Sequence, residues 1–92
     1  MTPEFAETTG LKVLGWLVSD EELLPVFMGS TGVDQDDLRQ NASNAEFLGS
    51  VLDFLMMDDR WVMRACDALG LPYEDFATVR QALPGGANYH WT

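Results

Sequence analysis

The chain has 92 residues, with 15 acidic and five basic side chains, and its formal net charge is −10. This length predicts a single domain, and a hydrophobic content of 47% is too high for an intrinsically disordered acidic segment. So negative a surface disfavours DNA, RNA and anionic lipid as direct ligands, because their phosphate groups would be repelled. We therefore expect a folded domain that binds neither nucleic acid nor membranes directly.

Three sequence features predict the cellular compartment. No run of apolar residues reaches the ~18 that a membrane span needs. The first residues lack the positive charge and apolar run of a signal peptide. Cys66 is the single cysteine, so it cannot form an internal disulfide, which fits a reducing compartment. We expect a cytoplasmic protein without a membrane span.

The first predicted elements are two helices. Thr2 and the proline that follows it are typical of a helix start, and apolar spacing extends this helix to about Val18. Ser19 precedes Glu22 by three residues, which is the spacing of a capping box and predicts Ser19 as the N-cap of a second helix. Pro25 would kink that helix or move its start closer to Pro25 itself.

Two further helices are predicted in the middle of the chain. Gly32 suits a left-handed position at the end of the second helix. Asp34 is predicted as the N-cap of a short third helix that extends to about Gln40. Ser43, with a glutamate three residues later, predicts the N-cap of a fourth helix that extends to about Met57.

The remaining signals complete the predicted fold. Asp58 is expected to cap a fifth helix that ends at Gly70, and a sixth helix ends near Leu83. No segment alternates with the period of a strand. We predict an all-α fold, a compact bundle of five to six short helices over residues 1–84, followed by a tail led by two glycines over residues 85–92.

The sequence aligns with itself, without a gap, when it is shifted by 38 residues. Both halves then have a long helix, an acidic turn, a second helix, a Gly-apolar turn and a short helix with an acidic start. Chance is the competing interpretation, because helical proteins share apolar spacing and caps. A duplication would give two three-helix halves packed about a pseudo-twofold axis. The identical pairs are Val13/Val51, Leu14/Leu52, Leu17/Leu55, Asp20/Asp58, Gly32/Gly70 and Asp37/Asp75.

Most carboxylates lie in predicted caps or first helical turns. The positive end of the helix dipole favours negative charge there, by about 0.3–1 kcal/mol per group at exposed sites. Capping and solubility therefore explain where the acids stand. They do not explain why Lys12 is the only lysine, and an acidic recognition surface is the alternative interpretation.

No metal, cofactor or catalytic constellation is predicted. A calcium loop that began at Asp34 would need glycine at its sixth position and glutamate at its twelfth, which are Arg39 and Ala45 here. No second histidine or cysteine completes a zinc site with His90 or Cys66. Cys66 lies within the predicted fifth helix and is expected to act as a small core hydrophobe.

The end of the predicted fourth helix is apolar on all sides. Such a segment is either buried on every side or partly exposed for a partner, and an exposed face there would predict a homodimer. The candidate partner surface consists of Phe54, Met56, Met57 and Trp61. In the tail, Tyr89 and Trp91 either fold back onto a groove of the domain or form a docking motif.

Motifs along nearly the whole chain carry a resemblance to a known family. They are Trp16-Leu17-x-x-Asp20-Glu21-Glu22-Leu23-Leu24-Pro25-x-Phe27, Thr31-Gly32-Val33-Asp34-x-x-Asp37-Leu38-Arg39, Phe47-Leu48-x-x-Val51-Leu52-Asp53-Phe54-Leu55 and Ala68-Leu69-Gly70-Leu71. With them, about residues 3–86 resemble a family of small bacterial proteins of unknown function. The resemblance implies a compact, acidic, all-helical domain and assigns no catalytic or binding residue.

We predict a small cytoplasmic interaction or regulatory module without catalysis, whose partner is a protein with a basic, partly apolar surface. One alternative is a polyanion mimic that occupies the nucleic-acid site of a basic protein, whose binding would weaken steeply with salt. The other alternative is an enzyme with a carboxylate site, which would require a deep polar pocket with raised pKa values.

Overall fold

A computed structural model describes residues 2–84, and in that range the chain forms six α-helices and no strand. The predicted all-α bundle of five to six helices is confirmed. The predicted tail, residues 85–92, lies outside the described residues. The helices are α1 (Pro3–Ser19), α2 (Leu23–Thr31), α3 (Gln35–Asn41), α4 (Ala45–Leu55), α5 (Asp59–Leu69) and α6 (Tyr73–Ala82).

The core is built around α1 and α4. α1 packs against α2, α4, α5 and α6, and α4 packs against α5 and α6. Val13 and Leu17 of α1, and Val51 and Leu55 of α4, are completely buried. Burial of such side chains contributes roughly 1.5–3 kcal/mol each. None of the six described helices is both long and apolar enough to cross a bilayer.

The turn between α1 and α2 differs from the prediction. Ser19 is the last residue of α1, and its hydroxyl donates to the Trp16 carbonyl oxygen over 2.8 Å. Asp20 Oδ1 instead accepts the first backbone N–H groups of the next helix, and α2 begins at Leu23. The prediction that Ser19 is an N-cap is therefore wrong. Pro25 lies in the first turn of α2, where its missing N–H removes no intrahelical bond.

Of the other three predicted N-caps, the structure has two and replaces the third by a neighbouring residue. Asp34 is the N-cap of α3 and forms a capping box with Asp37, and Asp58 is the N-cap of α5. The N-cap of α4 is Asn44, whose Oδ1 accepts the N–H groups of two residues in the first turn. The prediction of Ser43 is wrong by one residue, because serine and asparagine cap equally well and here stand side by side.

Some residues that lie 38 positions apart have the same local geometry. Gly32 ends α2 with φ 76°, and Gly70 ends α5 with φ 67°, a left-handed conformation that glycine adopts without strain. Asp20 and Asp58 each accept the backbone N–H two residues ahead. The packing is not twofold, however, because α1 packs against α5 and α6 of the other half, whereas α4 has no comparable packing against α2 and α3. The two halves therefore do not pack about the predicted pseudo-twofold axis.

A buried arginine fixes the end of α6. Arg80 is 6% exposed, and its Nε and Nη2 donate to the two carboxylate oxygens of Asp53 over 2.6 and 2.9 Å. Its Nη1 donates to the carbonyl oxygen of Pro84 over 3.2 Å. Gly49 makes room for this guanidinium, because a Cβ at position 49 would lie 2.8 Å from Nη1. The end of the described chain, at Pro84, is therefore held in place.

Candidate interaction surface

The structure separates the four residues of the predicted partner surface. Phe54 is only 5% exposed. Its ring stacks on Trp61 with centroids 4.9 Å apart and meets the edge of Phe27 at 5.1 Å. Met56 and Met57 are exposed by 43% and 77%. Phe54 is therefore a core residue, and Trp61 is half-buried against the core.

The end of α4 explains this division. The sequence predicts a helix to Met57, but α4 ends at Leu55. Phe54 and Leu55, in the last turn of α4, lie on its buried side. Met56 and Met57 lie in the turn before Asp58 and point away from the core.

Exposed apolar side chains gather where α5 packs against α6. Met63 is 54% exposed and Tyr73 is 50% exposed. With Met56 they line two neighbouring grooves of about 250 and 570 Å³, both of which include Asp59 and Tyr73. Two further carboxylates line one groove each. We call this surface the methionine face and define it by Met56, Asp59, Met63, Asp67, Tyr73 and Glu74.

A hydrogen bond between Tyr73 and Asp59 lies where the two grooves meet. The Tyr73 hydroxyl donates to Asp59 Oδ1 over 2.8 Å and joins the start of α6 to the start of α5. This hydrogen bond, then partial burial and the charge of Asp59, raise the pKa of Tyr73 above its ordinary value. The phenol therefore stays neutral at pH 7 and keeps its proton for the hydrogen bond to Asp59.

The carboxylates of the methionine face belong to no ion pair among residues 2–84. All four arginines reach carboxylates elsewhere, and Arg60 and Arg64 turn away from the face although they lie on α5. The methionine face therefore combines exposed apolar side chains with carboxylates that form no ion pair with any described cation. The ion pairs are Arg39 with Asp36, Arg60 with Asp58, Arg64 with Asp20 and Glu22, and Arg80 with Asp53.

Cys66 lines the larger groove as a neutral thiol. It is 5% exposed. Burial, followed by the charges of Asp67, Asp75 and Glu74, raises the pKa of this thiol above its ordinary value. A thiol with a raised pKa is a poor nucleophile and a poor metal ligand. Among residues 2–84, no group of three or more His, Cys, Asp or Glu side chains is placed to hold a metal ion. Cys66 therefore lacks the lowered pKa of an activated thiol.

A third groove, of about 470 Å³, lies between α1, α2 and α3. We call it the α1–α3 groove. Leu14 and Leu38, both nearly buried, form its floor, and the half-exposed Leu11 and Val18 form its rim. Arg39 is the only charged side chain among the described residues that line it. Two chemically different surfaces therefore lie on the domain, one acidic and apolar, the other apolar.

The sequence predicts part of the methionine face but not all of its residues. Met56 was predicted from an apolar run in the sequence. Tyr73 and Met63 carry no signal of their own, because their proximity depends on how α5 packs against α6. The spacing of Asp59, Met63 and Asp67, four residues apart each time, could have indicated one polar-apolar stripe on a helix.

No curated protein and no solved structure matches the chain. One family does match, over residues 3–86, which include all six described helices, the methionine face and the α1–α3 groove. The predicted resemblance to a family of unknown function is therefore confirmed. The chain belongs to the family described as protein of unknown function (DUF3572).

Proposed function

We propose that this protein is a non-catalytic interaction module whose methionine face binds a basic, amphipathic helix of another protein. The observation that carries the proposal is the coexistence of exposed Met56, Met63 and Tyr73 with three carboxylates outside any described ion pair. Methionine side chains adapt their shape to different apolar partners. Carboxylates around them favour a cationic partner and speed its encounter.

The geometry of α5 specifies the partner further. Asp59, Met63 and Asp67 are four residues apart, so they lie along one face of α5. The two carboxylates are then separated by about 12 Å along the helix axis, with the thioether between them. A partner helix with a cation, an apolar side chain and a second cation at the same spacing matches this stripe.

The charge of the face argues against self-association through it. A twofold dimer brings the same patch of both subunits together. Asp59, Asp67 and Glu74 would then face the same carboxylates of a second copy, and like charges at an interface are unfavourable. A homodimer through the methionine face is therefore disfavoured relative to a cationic partner.

The proposal is tested with a synthetic helical peptide that carries Lys, Leu and Lys at four-residue intervals on one face. Its affinity is measured by fluorescence anisotropy for the wild type and two charge-matched variants. In Asp59→Asn/Asp67→Asn, affinity should fall about tenfold, which corresponds to ~1.4 kcal/mol. In Glu4→Gln/Glu7→Gln, which removes two exposed charges from α1, affinity should change less than about twofold.

Salt distinguishes this proposal from a polyanion mimic. Apolar contacts with Met56 and Met63 persist when charges are screened, so binding should remain measurable at about 0.5 M NaCl. A polyanion mimic predicts that binding disappears there and that both double variants weaken it equally. Either of these results, or no binding at all, contradicts the proposal.

We also propose that the module works in the cytoplasm and that its two halves arose by duplication. The buried free thiol of Cys66 supports a reducing compartment. The matching geometry of Gly32 and Gly70 supports the duplication. If the halves are duplicates, exchanging residues 31–34 with residues 69–72 should leave a chain that still unfolds cooperatively. A chain that no longer folds after this exchange would count against duplication.

A further inference from the structure

We infer that residues 85–92 of this chain dock in the α1–α3 groove, with the rings of Tyr89 and Trp91 inserted between α1 and α3. Among the described residues that line the groove, Arg39 alone is charged and Gln35 is the one other polar side chain. Its volume of about 470 Å³ lies in the range of clefts that bind organic groups, roughly 300–1,000 Å³.

Gly15 leaves the groove open. A Cβ at this position would meet no atom within 4 Å. The neighbouring Leu11 and Val18 are 48% and 42% exposed, although they border the nearly buried Leu14. A strip of apolar surface on α1 therefore lies uncovered by the rest of the described chain, and covering it with aromatic rings would be favourable.

The described chain ends close to this groove. Leu83 is nearly buried, and its Cδ1 lies 3.5 Å from the position of a Cβ on Gly10. Gly10 directly precedes Leu11 at the rim of the groove. From Gly10 to Val18, α1 advances only about 12 Å, whereas the seven residues from Pro84 to Trp91 span up to about 25 Å when extended. Gly85 and Gly86 can adopt the conformations that a reversal of chain direction requires.

The composition of residues 85–92 favours docking in the α1–α3 groove over docking on the methionine face. This segment contains no acidic residue and no lysine or arginine, so it offers little to the carboxylates of the methionine face. In an extended segment, residues two apart point to the same side. An extended conformation would thus allow Tyr89 and Trp91 to enter one groove together.

The test is an NMR experiment on the full 92-residue chain with labelled leucine and valine methyl groups. We expect nuclear Overhauser contacts between the Trp91 indole and the methyls of Leu11, Leu14 or Val18. In a mixture of labelled and unlabelled chains, these contacts should be intramolecular. Contacts that are only intermolecular would assign the groove to a second copy and overturn the inference.

Two matched glycine variants separate docking from general effects on the fold. Gly15→Leu fills the groove and should abolish the Trp91 contacts. Gly29→Leu is the control, because Gly29 is helical, exposed and equally free of neighbours within 4 Å, yet does not line the groove. Contacts that survive Gly15→Leu, Trp91 contacts to Met56 or Met63, or no contacts in the wild type would each contradict docking.

Discussion

Arg64 of α5 holds the turn between α1 and α2 through Asp20. Its Nη2 lies 2.7 Å from Asp20 Oδ2, across a sequence separation of 44 residues. The other oxygen of this carboxylate accepts the backbone N–H groups of Glu22 and Leu23 over 3.0 and 2.9 Å. The Asp20 side chain therefore accepts the backbone N–H groups at the start of α2 and links this part of the chain to α5.

Removal of the Asp20 carboxylate should destabilise the fold. Asp20→Ala loses both capping bonds, which predicts a loss of about 1–2 kcal/mol in the free energy of unfolding. Asp20→Asn keeps an acceptor oxygen and loses the ion pair, so its loss should be smaller, about 0.2–1 kcal/mol. Urea unfolding measures both values. Glu21→Ala, at the exposed neighbour, is the control, and equal stability of Asp20→Ala and this control would contradict the role of Asp20.

The same carboxylate should make stability depend on pH in the acid range. Burial disfavours the ionised form of Asp20, but backbone bonds from Leu23 and Glu22 and the charge of Arg64 outweigh it and lower the pKa below its ordinary value of 3.8. Below about pH 4 the unfolded chain therefore binds more protons than the folded one. The stability advantage of the wild type over Asp20→Asn should be full near pH 7 and shrink as the pH falls through the lowered pKa. Unfolding curves over this range check the trend, and an advantage that is independent of pH would contradict it.

Two glycine-to-alanine changes should have opposite effects. Alanine is a better helix former than glycine by about 0.8–1 kcal/mol, so Gly29→Ala, with open space around it, should stabilise the fold by up to this amount. At Gly49 the new Cβ would lie 2.8 Å from Arg80 Nη1 and 3.1 Å from the Pro84 carbonyl oxygen. These two atoms are hydrogen-bonded to each other, so Gly49→Ala should destabilise the fold. Equal shifts of the urea midpoint in both variants would show that Arg80 does not need this space.

The two left-handed glycines should respond alike to substitution. Gly32 and Gly70 have φ 76° and 67°, and neither has a neighbour that would obstruct a Cβ. Only the backbone conformation opposes alanine there, at about 1–2 kcal/mol. Gly32→Ala and Gly70→Ala should each lower the free energy of unfolding by this amount, and asparagine should lower it less. A neutral effect at either position would mean that its turn is not held in the left-handed conformation.

Local signals in the sequence predicted the helices, because apolar spacing and caps act within a few residues of each other. Asp34 and Asp58 lie at the helix starts expected of them. Ser19 and Ser43 do not, since a second good capping residue follows each of them, Asp20 and Asn44, and only the packed helices decide between the two.

The candidate surface was less predictable because it depends on tertiary packing. Phe54 and Met56 are two residues apart in one apolar run, yet one is core and the other is exposed. The difference depends on the residue at which α4 ends. Likewise, the bond from Tyr73 to Asp59 requires α5 and α6 to be packed together, and nothing in their local sequence indicates it.

Partner binding at the methionine face can be followed at the methionine side chains themselves. Its most direct test is a titration of the methionine methyl-labelled protein with the Lys-Leu-Lys peptide, followed by NMR. The account predicts that the methyl resonances of Met56 and Met63 shift in a saturable way, while that of Met28, half-buried on α2, stays in place. A shift confined to Met28, equal small shifts of all three methyls, or no shift would contradict it.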